Sequence, residues 1–337
     1  MAGAGLVAPD DVIHLDQALG HFFGRTAATY IRRLERAGTV VDLVASHGQT
    51  VRHLPKKKKI AGYNVNGTLQ LGSLEQIAAH TGKVVVGDFR QADVALGHEG
   101  APITVAAMQR LLADPRESRL FVNIGGMANY FFFPSRRSPL NAAAADCGPG
   151  NSLCDILAER LFRAPFDRGG KLALSGQVSQ RLLTLLLAEP FFKSDMVSTG
   201  REAFGQELAD RLIAQARKLR LSRPDTIATA AELTVTAISN SVSPFIRRDP
   251  TVRSLYLTGG GIRNKFFARR LSDRLGGLKV VSIAALGYDP DLVEASAYAV
   301  MGEAALRSEA LLTQYGQGVF CRHLPVLGRI VQPPQEG

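Results

Sequence analysis

Apolar residues recur along the chain first at helical spacing and then in short runs that end in polar turns. Leu19, Phe22, Phe23, Ala27, Tyr30, Ile31 and Leu34 share one helical face, which predicts a helix from Leu15 to Glu35. After Gly38, Val40 to Ala45 reads as a buried strand running into the polar turn His47-Gly48-Gln49-Thr50. Polar residues at the carboxyl end of such a strand often face a ligand. Thr68 to Leu71 predicts a short strand, and Ser73 to Gln76 opens a helix with a partial capping pattern. Val84 to Val86 reads as a second buried strand, with Asp88 and Arg90 just past its end. That acid and arginine can hold sugar hydroxyls or a carboxylate, or can pair with each other. Gly97 to Pro102 reads as a loop before a helix at Val105 to Leu112.

The middle of the chain concentrates the candidate chemistry. An apolar run ends at Asn123, a Gly125-Gly126 turn follows, and aromatic strand material at Tyr130 to Phe133 completes a hairpin. Asp146 then precedes the turn Gly148-Pro149-Gly150, and Asn151-Ser152 opens a helix. Glycines at a hairpin tip let backbone N–H groups approach an anion, and a helix N-terminus adds partial positive charge. A carboxylate beside such a cradle can take a nucleophile's proton in phosphoryl transfer. Two turns and a capped helix of an ordinary α/β domain fit the same residues. Further on, Phe166 to Gly170 reads as a loop, while Ser175 to Leu187 and Thr229 to Val242 read as helices. Ser198 to Glu202 precedes another helix. Leu255 to Leu257, the triple glycine Gly259-Gly260-Gly261 and a helix from Asn264 form a strand–turn–helix that suits a nucleotide or plain packing. Glu294 lies on a helix behind an acidic turn.

Composition narrows the class. The 337 residues suffice for two packed domains, and 46% hydrophobic content with a mean hydropathy of +0.03 is that of a soluble globular chain. No apolar run approaches membrane-spanning length and no signal-peptide pattern opens the chain, so a cytoplasmic protein without a membrane anchor is expected. Three cysteines, Cys147, Cys154 and Cys321, lack metal-ligand spacing and are expected to be reduced thiols. The formal charge of +10 sits largely in local runs such as Lys56 to Lys59, read as a solvated loop. No zinc-finger spacing or RNA-recognition signature accompanies it, so no nucleic-acid partner is expected.

VASHGQTVRHLP, TLQLGSLEQIAAHTGKVVVGDFR, GAP, NIGGMAN, DCGPGN, FDRGG, STGREAFG, LTGGGIRN and YDPDLVEASAYAV stand in the order found in anhydro-N-acetylmuramic acid kinases. The chain resembles that family from about Leu15 to the terminal VLGRIVQPP. The resemblance implies an α/β fold of two RNase-H-like, actin-like ATPase domains with an interdomain cleft. Residues 1–117 with about 308–337 would form the first domain, and 118–307 the second, with the phosphate hairpin and adenosine motif. It implies ATP and Mg²⁺ as cofactors, an amino-sugar substrate and a homodimer. The implied reaction opens a 1,6-anhydro ring with water while O6 is phosphorylated, in cell-wall sugar recycling. By position, Asp146 would be the general base. Gly125, Gly126, Gly148 and Gly150 would face the phosphates, and Gly259, Gly260, Gly261 and Asn264 would border the adenosine. Asp88, Arg90 and Glu294 would lie on the sugar side.

The family's opening phosphate hairpin, of the form GxMSGTSxDG, has no counterpart in this chain. The expectation is an incomplete first-domain sheet, with unpaired edges on the Val40 and Val84 strands and fewer donors for a transferring phosphate. A catalytically impaired relative that keeps sugar or partner binding is the alternative reading. Ile103-Thr104-Val105 also departs from the Leu-Val-Pro that the family tends to carry after Gly100-Ala101-Pro102.

Overall fold

A computed structural model describes residues 8–101, 103–193, 204–311, 314–315, 319–320 and 326–334. The chain divides into two units, the first being residues 1–111, 294–313 and 320–337, the second 112–293 and 314–319. The motif at Ser198 to Glu202, together with Pro102 and Cys321, lies outside the described residues.

The first unit opens with α1 (Pro9–Arg36), which carries Asp10 and Asp11 in its first turn and Arg33 and Arg36 in its last. Each charge lies where the helix dipole favours it. Its fully buried stripe is Gly20, Gly24, Ala28 and Ile31, and of the expected apolar face Leu19, Phe23, Ala27 and Leu34 are half-buried beside it. Phe22 and Tyr30 stay 64% and 57% exposed. The reason is close packing on α2 (Leu74–Thr81): a Cβ on Gly20 would lie 2.9 Å from Gln76 Cβ, and one on Gly24 2.9 Å from His80 Cβ. Ser73 caps α2 by accepting the Gln76 N–H, as the sequence suggests.

Strand β1 (Leu43–Ser46) begins later than expected, leaving Val40 78% exposed, and runs parallel to β4 (Val84–Gly87). Between them β2 (Gln49–Ile60) and β3 (Tyr63–Leu71) form an antiparallel ribbon. The Lys56–Lys59 run is therefore exposed strand rather than loop. Its two-residue turn has φ of 49° at Ala61 and 89° at Gly62, the left-handed pair that matches the ribbon's twist. The C-terminal strand Arg329–Val331 pairs antiparallel with the free side of β4, which is thus central in a three-stranded sheet. The expected open edge on the Val84 strand is corrected: residues from the far end of the chain cover it. The short helices α3 (Gln91–Ala95) and α4 (Val105–Leu112) follow β4.

The second unit is built on a five-stranded sheet in the order β7-β6-β5-β8-β9. The strands are β5 (Arg119–Ile124), β6 (Ala128–Phe133), β7 (Ala143–Gly148), β8 (Ser254–Thr258) and β9 (Lys279–Ser282). Strand β6 runs against β5 and β7, whereas β8 and β9 run parallel to β5. Leu120, Val122 and Ile124 alternate into a core shared with Tyr130 and Phe132, as period-two burial requires. That core is closed by α5 (Ser152–Phe162), the short α6 (Lys171–Leu174) and α7 (Gln180–Leu186), α8 (Gln206–Lys218), α9 (Arg223–Arg248) and α10 (Lys265–Arg274). The helix expected from Ser175 begins only at Gln180, because Ser179 caps it by accepting the Leu182 N–H. Helix α9 outruns the expected Thr229–Val242 at both ends, and its whole middle is buried.

Burying α9 places Glu232 at 0% exposure, which demands partners. Arg270 supplies Nε at 2.8 Å and Nη2 at 3.0 Å, and Arg274 Nε adds a bond at 2.8 Å, which ties α9 to α10. Glu232→Gln removes the charge and leaves both guanidinium groups underpaired. Because the arginines are partly solvated, the expected cost is about 2 kcal/mol rather than the larger penalty of a wholly buried pair. Urea unfolding checks it, and an unchanged midpoint counts against a structural role for this triad.

Candidate active site

In the second unit, three turns meet at the ends of β5, β7 and β8. The β5–β6 hairpin turns at Gly125-Gly126, where Gly126 is exposed. Its carbonyls are held by the start of α5: Asn151 N–H donates to Gly125 O at 2.8 Å and Ser152 N–H to Gly126 O at 3.0 Å. Asn151 Nδ2 adds bonds of 3.1 Å to Ile124 O and Gly125 O. Those helix N–H groups thus serve the hairpin rather than standing free for a phosphate. Among the described residues the Gly126 N–H has no backbone acceptor, which leaves it for an anion. Gly150, at φ 28°, is packed so closely that a Cβ would sit 2.5 Å from Gly125 O and 2.7 Å from Gly126 O. Thr234 Oγ1 of α9 donates to Gly150 O at 3.0 Å and anchors the turn from behind.

Gly259 has φ 77°, and a Cβ there would lie 2.3 Å from Asn123 Oδ1. A Cβ on Gly261 would strike Ile124 Cγ2 at 2.3 Å, so this turn closes directly over the end of β5. Gly260 is exposed, with open space where its Cβ would be. Asn264 is buried and caps α10 by accepting the Phe266 N–H at 3.0 Å, so its oxygen is already engaged. Asp146 is half-buried on β7, in register with Asn129 of β6. Asn129 Oδ1 is itself buried with no donor among the described residues, an orphan acceptor beside the candidate base. Gly148 follows with φ 153°. The neighbouring Cys147 and Cys154 are free and buried. Burial pushes the Cys147 thiol up to about 12 and raises Cys154 too, so neither offers a thiolate.

The first unit holds a second cluster. Arg90 Nε donates to His47 Nε2 at 2.9 Å and Arg90 Nη1 to Gly100 O at 2.8 Å. The Tyr298 ring lies 4.8 Å from that of His47. Arg90 therefore does not pair with Asp88; it ties the end of β1 to the loop at Gly100, and His47 in turn meets Tyr298 of the helix Val293–Leu306. Asp88 takes φ 56°, rare for a residue with a side chain, and burial raises its carboxyl against the opposing pull of Arg329. Glu294 is exposed one turn before Tyr298 on the same helix. His47 and Tyr298 also line an open groove of about 1490 Å³ along α1.

Arg90 can only donate, so His47 Nε2 accepts, and its Nδ1–H donates to Gly48 O at 3.1 Å. This requires the neutral ring. Burial first, and the Arg90 charge second, lower its pKa from 6.5 to about 4. The sequence drew attention to Asp88, Arg90 and the polar turn after β1, but not to Tyr298, Asn123 or Asn129. Tyr298 is remote in the chain from its partners, and the two asparagines read as ordinary strand ends.

A family model described as anhydro-N-acetylmuramic acid kinase matches residues 7–332. The chain belongs to the anhydro-N-acetylmuramic acid kinase family. A kinase of that name from Salinibacter ruber is 37% identical over 304 residues, covering 88% of this chain and 75% of the relative. One from Caldanaerobacter subterraneus is 32% identical, covering 95% and 81%, and one from Gloeobacter violaceus 38%, covering 88% and 76%. Among solved structures, the ADPNP-bound activator of 2-hydroxyisocaproyl-CoA dehydratase from Clostridium difficile is 15% identical with a TM-score of 0.40, covering 74% of this chain and 91% of that one. A likeness of that size bears no weight. The family motifs NIGGMAN, DCGPGN and LTGGGIRN are the segments that form the three joined turns.

Two outcomes follow from this geometry. Gly150→Ala drives a methyl into the hairpin carbonyls and is expected to weaken ATP binding at least tenfold in calorimetry, whereas Gly276→Ala, with open space around it, leaves binding unaltered. The neutral His47 contributes stability that is complete above pH 6.5 and is lost as pH falls toward 4, since the unfolded chain takes up the proton first. His47→Asn should flatten that decline in thermal midpoint; an identical pH profile refutes the assignment.

Proposed function

We propose that this chain is an ATP-dependent phosphotransferase that converts 1,6-anhydro-N-acetylmuramic acid, with water, to N-acetylmuramic acid 6-phosphate. Family membership over residues 7–332 favours a kinase over a relative that only binds. The observation that carries the reading is the meeting of three glycine turns at the ends of β5, β7 and β8, of which β7 bears Asp146. The strand order, with only the second strand running against the others, supports a ribonuclease-H-like unit of an actin-like ATPase.

In this reading Asp146 is the general base. Its carboxylate takes a proton from water as the water oxygen bonds to the anomeric carbon and the bond from that carbon to O6 breaks. The released O6 then accepts the phosphoryl group. When bound, ATP would supply that group and leave as ADP as the γ-phosphorus parts from its bridging oxygen, and Mg²⁺ would offset the charge on the phosphate oxygens. Gly125, Gly126, Gly148 and Gly150 hold backbone around the phosphates, and the space before Gly260 accommodates the nucleoside, with Gly259, Gly261 and Asn264 shaping that turn. No cluster of three or more metal-ligating side chains occurs among the described residues. That fits a Mg²⁺ held chiefly by phosphate and water with one or two carboxylates.

Asp88 and Glu294 are the sugar-side acceptors, and Arg90 shapes that side by holding His47 and the Gly100 loop. A cytoplasmic location and a homodimer complete the proposal. No described helix is long and apolar enough to cross a membrane.

The test is ADP release dependent on the anhydro sugar, followed by a coupled assay. Asp146→Asn should lower kcat by at least a hundredfold while ATP affinity holds, since the amide keeps the shape but cannot accept the proton. Full turnover in that variant would remove Asp146 from the mechanism, and ADP release indifferent to the sugar would remove the substrate.

A further inference from the structure

Where α5 ends, a cavity of about 650 Å³ opens in the second unit, a size suited to a small ligand. Four arginines line it, Arg160, Arg163, Arg217 and Arg223, together with apolar surface from Phe162 and Ile213, and no acidic residue does. Arg160 is paired with Asp210. Arg223 donates one bond to Leu161 O at 3.2 Å, and no carboxylate of the described residues pairs with Arg163, Arg217 or Arg223. Like charges gathered round one hollow repel, and the repulsion is relieved by an anion.

Helix dipoles explain only part of this cluster. Arg160, Arg163 and Arg217 stand at the C-terminal ends of α5 and α8, where cations are favoured. Arg223 is the first residue of α9, where a cation opposes the dipole. Arg163 adopts φ 55° as the C-cap of α5, a conformation that suits glycine or asparagine better. A guanidinium stands at both positions against local preference.

We propose that this cavity binds a phosphate monoester with an apolar body. Arg163, Arg217 and Arg223 hold the dianion through paired N–H donors, and Phe162 and Ile213 receive the apolar part. The site is separate from the glycine cradle, at the other end of α5, roughly 16 Å away along the helix. Two helices connect them: α5 begins at the hairpin tip, and α9 runs from Arg223 to Thr234, which bonds Gly150. The inference does not rest on the kinase reading.

Calorimetry of the full chain with phenyl phosphate tests it, with ATP in excess so that any nucleotide site is filled. One-to-one binding is expected, at least tenfold weaker in a variant carrying Arg163→Gly and Arg217→Gln. Glycine relieves the left-handed backbone at 163, and Arg217 is exposed, so that variant should keep its thermal midpoint and the loss can be read as loss of contacts. Equal affinity in the variant, or no binding to the parent chain at millimolar probe, overturns the proposal. Benzoate keeps the ring but carries one charge, and inorganic phosphate lacks the ring. Each is expected to bind at least fivefold more weakly. Benzoate binding as tightly as phenyl phosphate would overturn the phosphate assignment, and inorganic phosphate doing so would overturn the apolar half.

Discussion

Four hydrogen bonds join the first residues of α5 to the tip of the β5–β6 hairpin, and the candidate nucleotide site rests on them. Each is worth only about 1 kcal/mol net, yet together they set which way the glycine turn faces. With the carbonyls of Gly125 and Gly126 turned toward the helix, the Gly126 N–H is left without a backbone partner among the described residues. Gly150 makes the arrangement possible, since any side chain there would collide with those carbonyls. Thr234 and the buried middle of α9 then hold the Gly150 turn from behind.

The first unit has a comparable hub in Arg90. A single guanidinium joins the end of β1 to the Gly100 loop through His47 and a carbonyl, and the Tyr298 ring of the helix Val293–Leu306 packs on that His47. The same contacts keep His47 neutral, because a protonated ring could not accept from Arg90. Asp93, wholly buried beneath this loop, accepts the Gly100 N–H at 2.9 Å and so fixes the carbonyl that Arg90 meets. A charged residue first read as a sugar contact is thus also a structural tie.

Both clusters obey one constraint. Polar groups drawn into an apolar unit must be matched bond for bond, and the exceptions mark where something else belongs. Glu232 is fully matched by Arg270 and Arg274 and serves packing. Asn129 Oδ1 is unmatched beside Asp146.

The family, the strands at Val84 and Leu255 and the helix positions were legible in the chain because they depend on local order: apolar spacing, turn residues and motif sequence. Cap residues such as Ser73 and the glycine turns were legible for the same reason. Everything that depends on distant partners had to come from the fold. The buried face of α1 takes in Gly20 and Gly24 beside the expected Ile31, since close approach to α2 needs glycine there, while Phe22 and Tyr30 stay exposed. The open edge expected on β4 is filled by Arg329–Val331, from the far end of the chain. The lysine run became a strand because β3 offered it a ladder of hydrogen bonds, a possibility that charge alone does not display. Asn129, Tyr298 and the four-arginine hollow acquire meaning only when separate segments meet, for a contact between remote residues leaves no periodicity to read.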